Sequence, residues 1–535
     1  ADPQAALDQL IATAFNRNHR TNSEDGLVPE EYRIEYVVDR VDTTSTVFLG
    51  LTMGCARCHN HKFDPLTQAE YYQFAAYFNS IPEDGRASNY GNSAPWIAAP
   101  TPEQQRQLSQ IESRIAEAGQ QLEKELKSSE AKQRRWEAES VPRAVASEAS
   151  SVASRKKHRS LPVAVLTKAE ATHWFPKEGL LLRHSMDAGA KLEIIGTLAR
   201  INLARPDDDE NETKITKPEV KKIEPVFKNG TPTSIASPLG PATAFDGKLY
   251  FDAGSVANFD YRDRKRDYKD NFAVSAWVYP EAEQSGAIVA HLPDTAGETD
   301  YGLPKNKGWG LFFQNGKLHF NLVSVWADDS FRVETADKLP LRQWHHVVAT
   351  FDSAEPADKV KIFVNGREAK LNIIHGRLFR SFGDTKRTLK FGAGGGPNFR
   401  FKGAIDEIRI YKTLPEADQI AVLACSDSLE KIAGIAPAER TRAQRLKIEG
   451  AFLESDAPGS AKQAWQQLAE LKREKLKLES EFSTLMIMKE TPSPRPTFVL
   501  RRGAYDQPVE KVERAVPAIL PPMPAEFPNN RLGFA

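Results

Sequence analysis

The stretch Phe272-Ala273-Val274-Ser275-Ala276-Trp277-Val278 decides the fold of the middle of this chain. Phe272, Val274, Ala276 and Val278 alternate on one side, the two-residue period of a strand with one face in a core. Around it, Asn315-Gly316 and Asn365-Gly366 are hairpin signals, each set between apolar runs. Strand-like runs recur from about residue 173 to residue 425, which predicts an all-β sandwich. Residues 139 to 160 and 204 to 233, rich in Ser, Lys, Asp, Glu and Pro, read as linkers or long surface loops.

Outside the sandwich the period changes to helical. Leu108, Ile111, Ile115, Ala118 and Leu122 fall at alternating spacings of three and four, and Ala464, Leu468, Leu471, Lys475, Leu478, Phe482 and Leu485 repeat the pattern. The two stripes are expected to pair as an antiparallel helical stalk; two unrelated amphipathic helices are the alternative. Near the start, Leu7, Leu10, Ile11 and Phe15 mark one helix. Pro29-Glu30-Glu31 opens another, and Thr67 with Glu70 makes a capping box ahead of Tyr71, Phe74 and Phe78.

A chain of 535 residues is too long for one core. Lys plus Arg and Asp plus Glu are both 72, so no overall basic field recommends a nucleic acid partner. No apolar run is long enough to span a membrane.

The sharpest chemical statement is Cys55-Ala56-Arg57-Cys58-His59. This is the pattern of a c-type haem attachment site: two thiols form thioethers to one haem, and the adjacent imidazole meets the iron. With 3 Cys and 11 His in the chain, a chance match is expected on the order of 3 × 10⁻⁴ times, so accident is a poor explanation. Zinc on Cys55, Cys58, His59 and His61 is the rival, but four ligands within seven residues would strain a tetrahedron. The haem reading implies export, because haem is joined to paired cysteines outside the bacterial cytoplasm. It leaves Cys425 as a buried free thiol.

The runs Glu30-Glu31-Tyr32, Val37 through Thr44, Phe48 through Thr52 and the motif through Pro65 resemble the planctomycete cytochrome c family, whose domain is catalogued as DUF1549. Met486 to Met488, Pro494 to Thr497, Arg501 through Asp506 and the tail from Pro517 to Phe534 resemble the opening of its companion, DUF1553. Both regions are expected to continue beyond the two ends of this sequence. Phe245-Asp246-Gly247, Ala276-Trp277-Val278, Trp344 through Phe351, Ile362 through Gly366 and Gly403 through Tyr411 resemble laminin-G-like, concanavalin A-like jelly rolls. The resemblances imply a multidomain α + β chain. It comprises a haem-binding, cytochrome c-type helical domain at 1–100, a first stalk helix and linker at 101–160, and a sandwich at 161–430. A second stalk helix at 431–490 and the start of DUF1553 at 491–535 complete it, the sandwich being inserted between the stalk helices.

His59 is the expected proximal ligand. His61 is too close to reach the opposite haem face, since two residues extend at most about 7 Å. The resemblance favours His19 as distal ligand, with no protein ligand, Met486 or Met488 as alternatives. Arg57, and less so Arg40 and Lys62, are candidates for the haem propionates. In the sandwich, His345 and His346 are expected to point to opposite faces, one packed and one exposed. Asp246, Asp252 and Asp406 are calcium candidates, with turn hydrogen bonds the blander use. Tyr261, Tyr268 and Trp326 are candidates for stacking on sugars. No carboxylate pair is placed for glycoside hydrolysis. The functional expectation is an exported, periplasmic or cell-surface c-type haem protein with an electron-transfer or redox role. It would meet a redox partner protein and, through the sandwich, a polysaccharide or glycoprotein ligand. A binding or assembly protein with structural haem or metal, and a haem enzyme acting on polysaccharide, are the alternatives.

Overall fold

The computed structural model describes residues 7–534 apart from 23–25, 84, 88–91, 94, 140–172, 188–189, 196–220, 224–225, 264–265, 296–298, 301, 328, 354–359, 379, 384–386 and 492. Most of the two stretches read as linkers therefore lies outside the described residues. The chain divides into two compact units, one of residues 1–109 with 476–535 and one of residues 110–475. Among the described residues no helix is long and apolar enough to cross a membrane.

The first unit has helices at its N-terminal end. The helix Pro29–Leu49 begins where proline costs no hydrogen bond, carries Glu30 and Glu31 against its positive end, and stops at Gly50 in the left-handed conformation (φ 66°). Its buried face is Tyr36, Val37, Val38, Arg40, Val41, Thr44 and Ser45. The helix Gln68–Ala75 is opened by the Thr67/Glu70 capping box, both halves of which form. Val37, Val41, Met53, Ala56, Leu66, Tyr71, Phe74 and Phe78 share one core with Met488, Leu500 and Val512. The segment expected as a separate domain at 491–535 is thus part of the same unit. Its hairpin, Thr497–Leu500 with Pro508–Val512, supplies core residues that the N-terminal helices lack. Trp96–Ala98 pairs antiparallel with Thr484–Met486, Ala98 opposite Thr484, so the intervening chain leaves and returns at one place.

The second unit is built on an antiparallel β-sandwich. Its two sheets have ten and eight strands among the described residues. The strand Phe272–Pro280 lies between His345–Phe351 and Lys402–Tyr411. Phe272, Val274, Ala276 and Val278 enter the core between the sheets, with Trp309, Leu311, Phe320, Phe351, Phe391 and Ile410. Asn315-Gly316 and Asn365-Gly366 both have positive φ, the twist that two-residue hairpins require.

The other face of this strand is covered too. Ala273 packs with Phe175, Val348, Ile420 and Leu423. Beyond Tyr411 the chain turns helical, and Ala417–Leu423, Leu429–Ala433 and Arg442–Ser455 pack with Trp136 and Trp174 around Ile448, Ala451 and Phe452. Gly450 is required here, because a Cβ would lie 2.2 Å from the Trp174 ring. The last strand of the sandwich ends at Tyr411, and 431–490 is not one helix: helices Leu429–Ala433 and Arg442–Ser455 precede Pro458, and the helix Gly459–Ser480 starts afresh just past it. Within this unit residues 459–475 run antiparallel to residues 110–128, with Glu112 to Lys475 at 2.7 Å, Arg114 to Glu474 at 3.3 Å and Ser460 to Glu125 at 2.6 Å. Such exposed pairs contribute about 0–1 kcal/mol each; buried Ile111, Ala118, Ala461, Ala464 and Leu471 set the seam.

Candidate functional site

Cys55 and Cys58 lie on and just after a single 3₁₀ turn, Gly54–Arg57. Ala56 anchors the turn in the core, its N–H donating to the Met53 carbonyl at 2.9 Å. With Ala56 inward, Cys55, Cys58 and His59 are left exposed, and both thiols are free. His59 Nδ1 lies 2.7 Å from the Asn60 carbonyl, which fixes it as the protonated nitrogen and leaves Nε2 with the lone pair. Asn60 is fixed in turn, its side-chain oxygen accepting from the Gln68 N–H at 2.9 Å.

The turn is held from three sides. The Arg57 guanidinium is bound by Glu35 and donates to the Gly503 carbonyl at 3.3 Å. The Arg57 carbonyl accepts from Gln68 Nε2 at 2.9 Å and from the Tyr72 hydroxyl at 3.0 Å. Gly503, in the left-handed region (φ 72°), lies so close that a Cβ would come within 3.1 Å of Cys58 Sγ. Arg57 is therefore committed to organising the turn and is not free for a propionate. Glu35 also binds Arg20. Burial raises the pKa of Asp42, whose carboxylate lies 3.6 Å from where a Gly54 Cβ would be. Phe48 and Phe63, exposed by 64% and 83%, leave apolar surface at the end of the preceding helix and just past the motif.

His19 is placed differently from the expectation. Its Nε2 lies 3.1 Å from Glu83 Oε1, its Nδ1 lies 2.7 Å from the Arg20 carbonyl, and its ring packs on Tyr36. Both nitrogens are engaged, so the imidazole is a hydrogen-bond partner and not an open ligand. Arg17 and Arg40 bind the same carboxylate, which removes Arg40 from the propionate candidates as well. Burial would push the Glu83 carboxyl up, but the His19 hydrogen bond and the two guanidinium charges outweigh it and hold the pKa at about 2. Replacing His19 with Ala is expected to lower stability by about 1–3 kcal/mol, the cost of stripping a buried carboxylate of a partner. The absorption spectrum of haem-loaded protein is expected to stay unchanged, and loss of a low-spin spectrum would restore His19 as a ligand.

His61 caps its own loop, its Nδ1 accepting from the Asp64 N–H at 2.8 Å. Met488 is core, 2% exposed, and Lys62 lies over the Phe63 ring.

In the sandwich both His345 and His346 are buried, contrary to expectation, because both faces of their strand are covered. His346 Nε2 lies 3.0 Å from Ser275 Oγ, His345 Nε2 lies 2.8 Å from the Pro340 carbonyl, and burial pulls His346 down to about 3, so it is neutral. Asp246 accepts from the N–H groups of Lys248 and Leu249, and Asp252 from Gly254 and Thr388. Asp406 binds Ser237 and is pushed up to about 8 by burial. Among the described residues no group of three or more His, Cys, Asp or Glu could hold a metal ion. Trp326 is half-buried, while the side chains of Tyr261 and Tyr268 lie outside the described ones.

Residues 1–83 match a family model described as a protein of unknown function, DUF1549. Residues 253–421 match the concanavalin A-like lectin/glucanases superfamily. No curated protein matches the sequence. Among solved structures, domain 4 of AbnA, a GH43 extracellular arabinanase from Geobacillus stearothermophilus solved with arabinotriose, is 18% identical, with 38% of this chain and 88% of that one covered and a TM-score of 0.26. The binding domain of botulinum neurotoxin serotype G is 12% identical, covering 46% and 50%, with a TM-score of 0.30. The binding domain of Paraclostridial Mosquitocidal Protein 1 is 13% identical, covering 38% and 49%, with a TM-score of 0.27. The chain spans about half the length of these last two.

Proposed function

We propose that this chain is an exported c-type haem protein whose inserted sandwich binds a glycan. The observation that carries the haem reading is the exposure of Cys55, Cys58 and His59 side by side, with His59 Nδ1 tied to a carbonyl and Nε2 left as the ligand atom. These residues fit the group: two unpaired thiols for the thioethers and an imidazole in the tautomer a haem iron takes. Haem bound there would supply one-electron chemistry. The chain's own part is to hold the turn through Arg57, Glu35 and Gly503 and to present Phe48 and Phe63 as apolar cover. An electron-transfer role with a redox partner protein follows from the exposed position, and a periplasmic or cell-surface location from the attachment chemistry. The glycan reading is supported by the match of residues 253–421 to a lectin and glucanase superfamily.

Haem staining of a denaturing gel tests the first half. The full chain, made with a haem attachment system, is expected to stain, and the Cys55→Ser, Cys58→Ser double variant is expected not to. Equal staining of both, or of neither, would overturn the assignment.

A further inference from the structure

The outward face of the eight-stranded sheet carries a row of residues opposite one another in register: Gly310, Asn321, Arg332 and His375. The core lies on the other side, where Leu311, Phe320, Leu322, Phe331 and Val333 point. Arg332 is fully buried, and none of its three side-chain nitrogens has a hydrogen-bond partner. Asn321 beside it is 3% exposed, and neither its amide nitrogen nor its amide oxygen is paired.

The guanidinium is held in place by Trp326, its Cζ 3.8 Å from the ring centroid, and His375 meets the same ring edge-on at 4.8 Å. Asp300 acts on Arg332 only at longer range. The neighbouring histidines add no second positive charge, because burial lowers the pKa of His375 and holds His319 at about 4. Burial pulls Arg332 itself down to about 9, which still leaves it charged at neutral pH. Glu334 is the nearby carboxylate in the next row, but Lys317 at 2.6 Å and Asn372 at 3.1 Å take it up.

A buried cation without an anion is among the costliest arrangements a fold can keep. A stem of the same length without charge would pack against Trp326 at no such cost. Arginine's fork presents two parallel donors to a planar carboxylate or to two oxygens of a sulfate, and an unpaired amide supplies both a donor and an acceptor for a hydroxyl.

We propose that Arg332 and Asn321 form a recognition site for the acidic group of a charged sugar, a uronic acid carboxylate or a sulfate ester. Arg332 takes the oxyanion, Asn321 an adjacent hydroxyl, and Trp326 keeps the guanidinium oriented. This rests on the reading of the sandwich as glycan-binding and narrows it to acidic glycans.

Isothermal titration of the full chain tests it with four probes: an oligogalacturonate, a sulfated galactan oligosaccharide, a neutral galactan oligosaccharide and inorganic sulfate. At least one acidic oligosaccharide is expected to bind ten-fold or more tighter than the neutral one, and which of the two does so identifies the anion. Arg332→Met is expected to weaken that binding ten-fold to a hundred-fold, the range of a lost charge-assisted pair, while leaving the neutral sugar unchanged. If Arg332→Met does not fold, Arg332→Lys, which keeps the charge without the fork, is expected to retain only part of the preference. Equal binding of acidic and neutral sugars overturns the acidic assignment and leaves the glycan reading standing. Binding of inorganic sulfate as tight as that of the sulfated sugar overturns the sugar part, and no binding of any probe overturns both.

Discussion

Replacing Glu83 with Gln is expected to destabilise the first unit by about 3–5 kcal/mol, the range for breaking a buried ion pair by removing one partner. Arg17, Arg40 and His19 all converge on this carboxylate, and both arginines are almost fully buried. Arg495 donates to the Glu83 carbonyl at 2.9 Å, so the same residue also ties in the C-terminal segment. A glutamine keeps the shape but leaves two guanidinium groups without a charge to meet. Hydrogen exchange in the helices Pro29–Leu49 and Gln68–Ala75 measures the loss.

The pH dependence has a definite sign. Glu83 sits at about 2 in the folded chain against an ordinary value of 4.5. Its contribution, about 3 kcal/mol from a shift of that size, is complete above pH 4.5 and falls away as the pH drops toward 2. The Gln variant is expected to lose that part of the acid sensitivity. A variant as stable as the parent at pH 7 would show that the cluster contributes nothing.

Replacing Glu407 with Gln should have an effect of the same size in the second unit. Glu407 accepts from Arg183 Nε at 2.9 Å and Nη2 at 2.5 Å, and lies 2.7 Å from Arg409 Nη2. The chain reaches this geometry by adopting positive φ at Glu407, where the register with Phe272–Pro280 shifts between Ser275 and Trp277. Phe175 lies against both guanidinium groups, 4.9 and 4.3 Å from its centroid. Burial would raise the carboxyl, but Arg409 and Arg183 outweigh it and hold it at about 2, so its stabilisation too is lost on acidification below pH 4.5. The expected cost at pH 7 is about 3–5 kcal/mol by urea unfolding. Glu474→Gln on the exposed helix pair is expected to change stability by less than about 1 kcal/mol. Replacing Arg183, Glu407 and Arg409 together with methionine is expected to cost far less than the single change, because no charge is then left unpaired. Comparable losses in the single and triple variants would contradict this account.

These clusters mark the limit of what the sequence discloses. Period-two alternation placed Phe272 through Val278, asparagine-glycine pairs placed two hairpins, and Thr67 with Glu70 placed a helix start, because each is a local rule read within a few residues. Arg17 and Glu83 are 66 residues apart, and Arg183 and Glu407 are 224 apart. No local pattern links such partners, so Arg40, Arg57 and His19 looked free for a cofactor when they are engaged by Glu83 and Glu35. The same limit explains His345 and His346: a strand's own alternation cannot say that helices from residues 417 to 455 cover its second face. The motif at Cys55 to His59 was legible in full, whereas its supports, Glu35 and Gly503, were not. Gly503 lies in a run whose resemblance points to a separate domain. Arg332 and Asn321 gave no signal, since a lone arginine in a strand reads as solvated.

The most direct test of the central claim is the intact mass of the full chain produced in a host with haem attachment machinery. A single species is expected, heavier than the polypeptide by one haem and returning to the bare polypeptide mass when Cys55 and Cys58 are both replaced by Ser. A polypeptide of unmodified mass from the same host, with free Cys55 and Cys58, would contradict it.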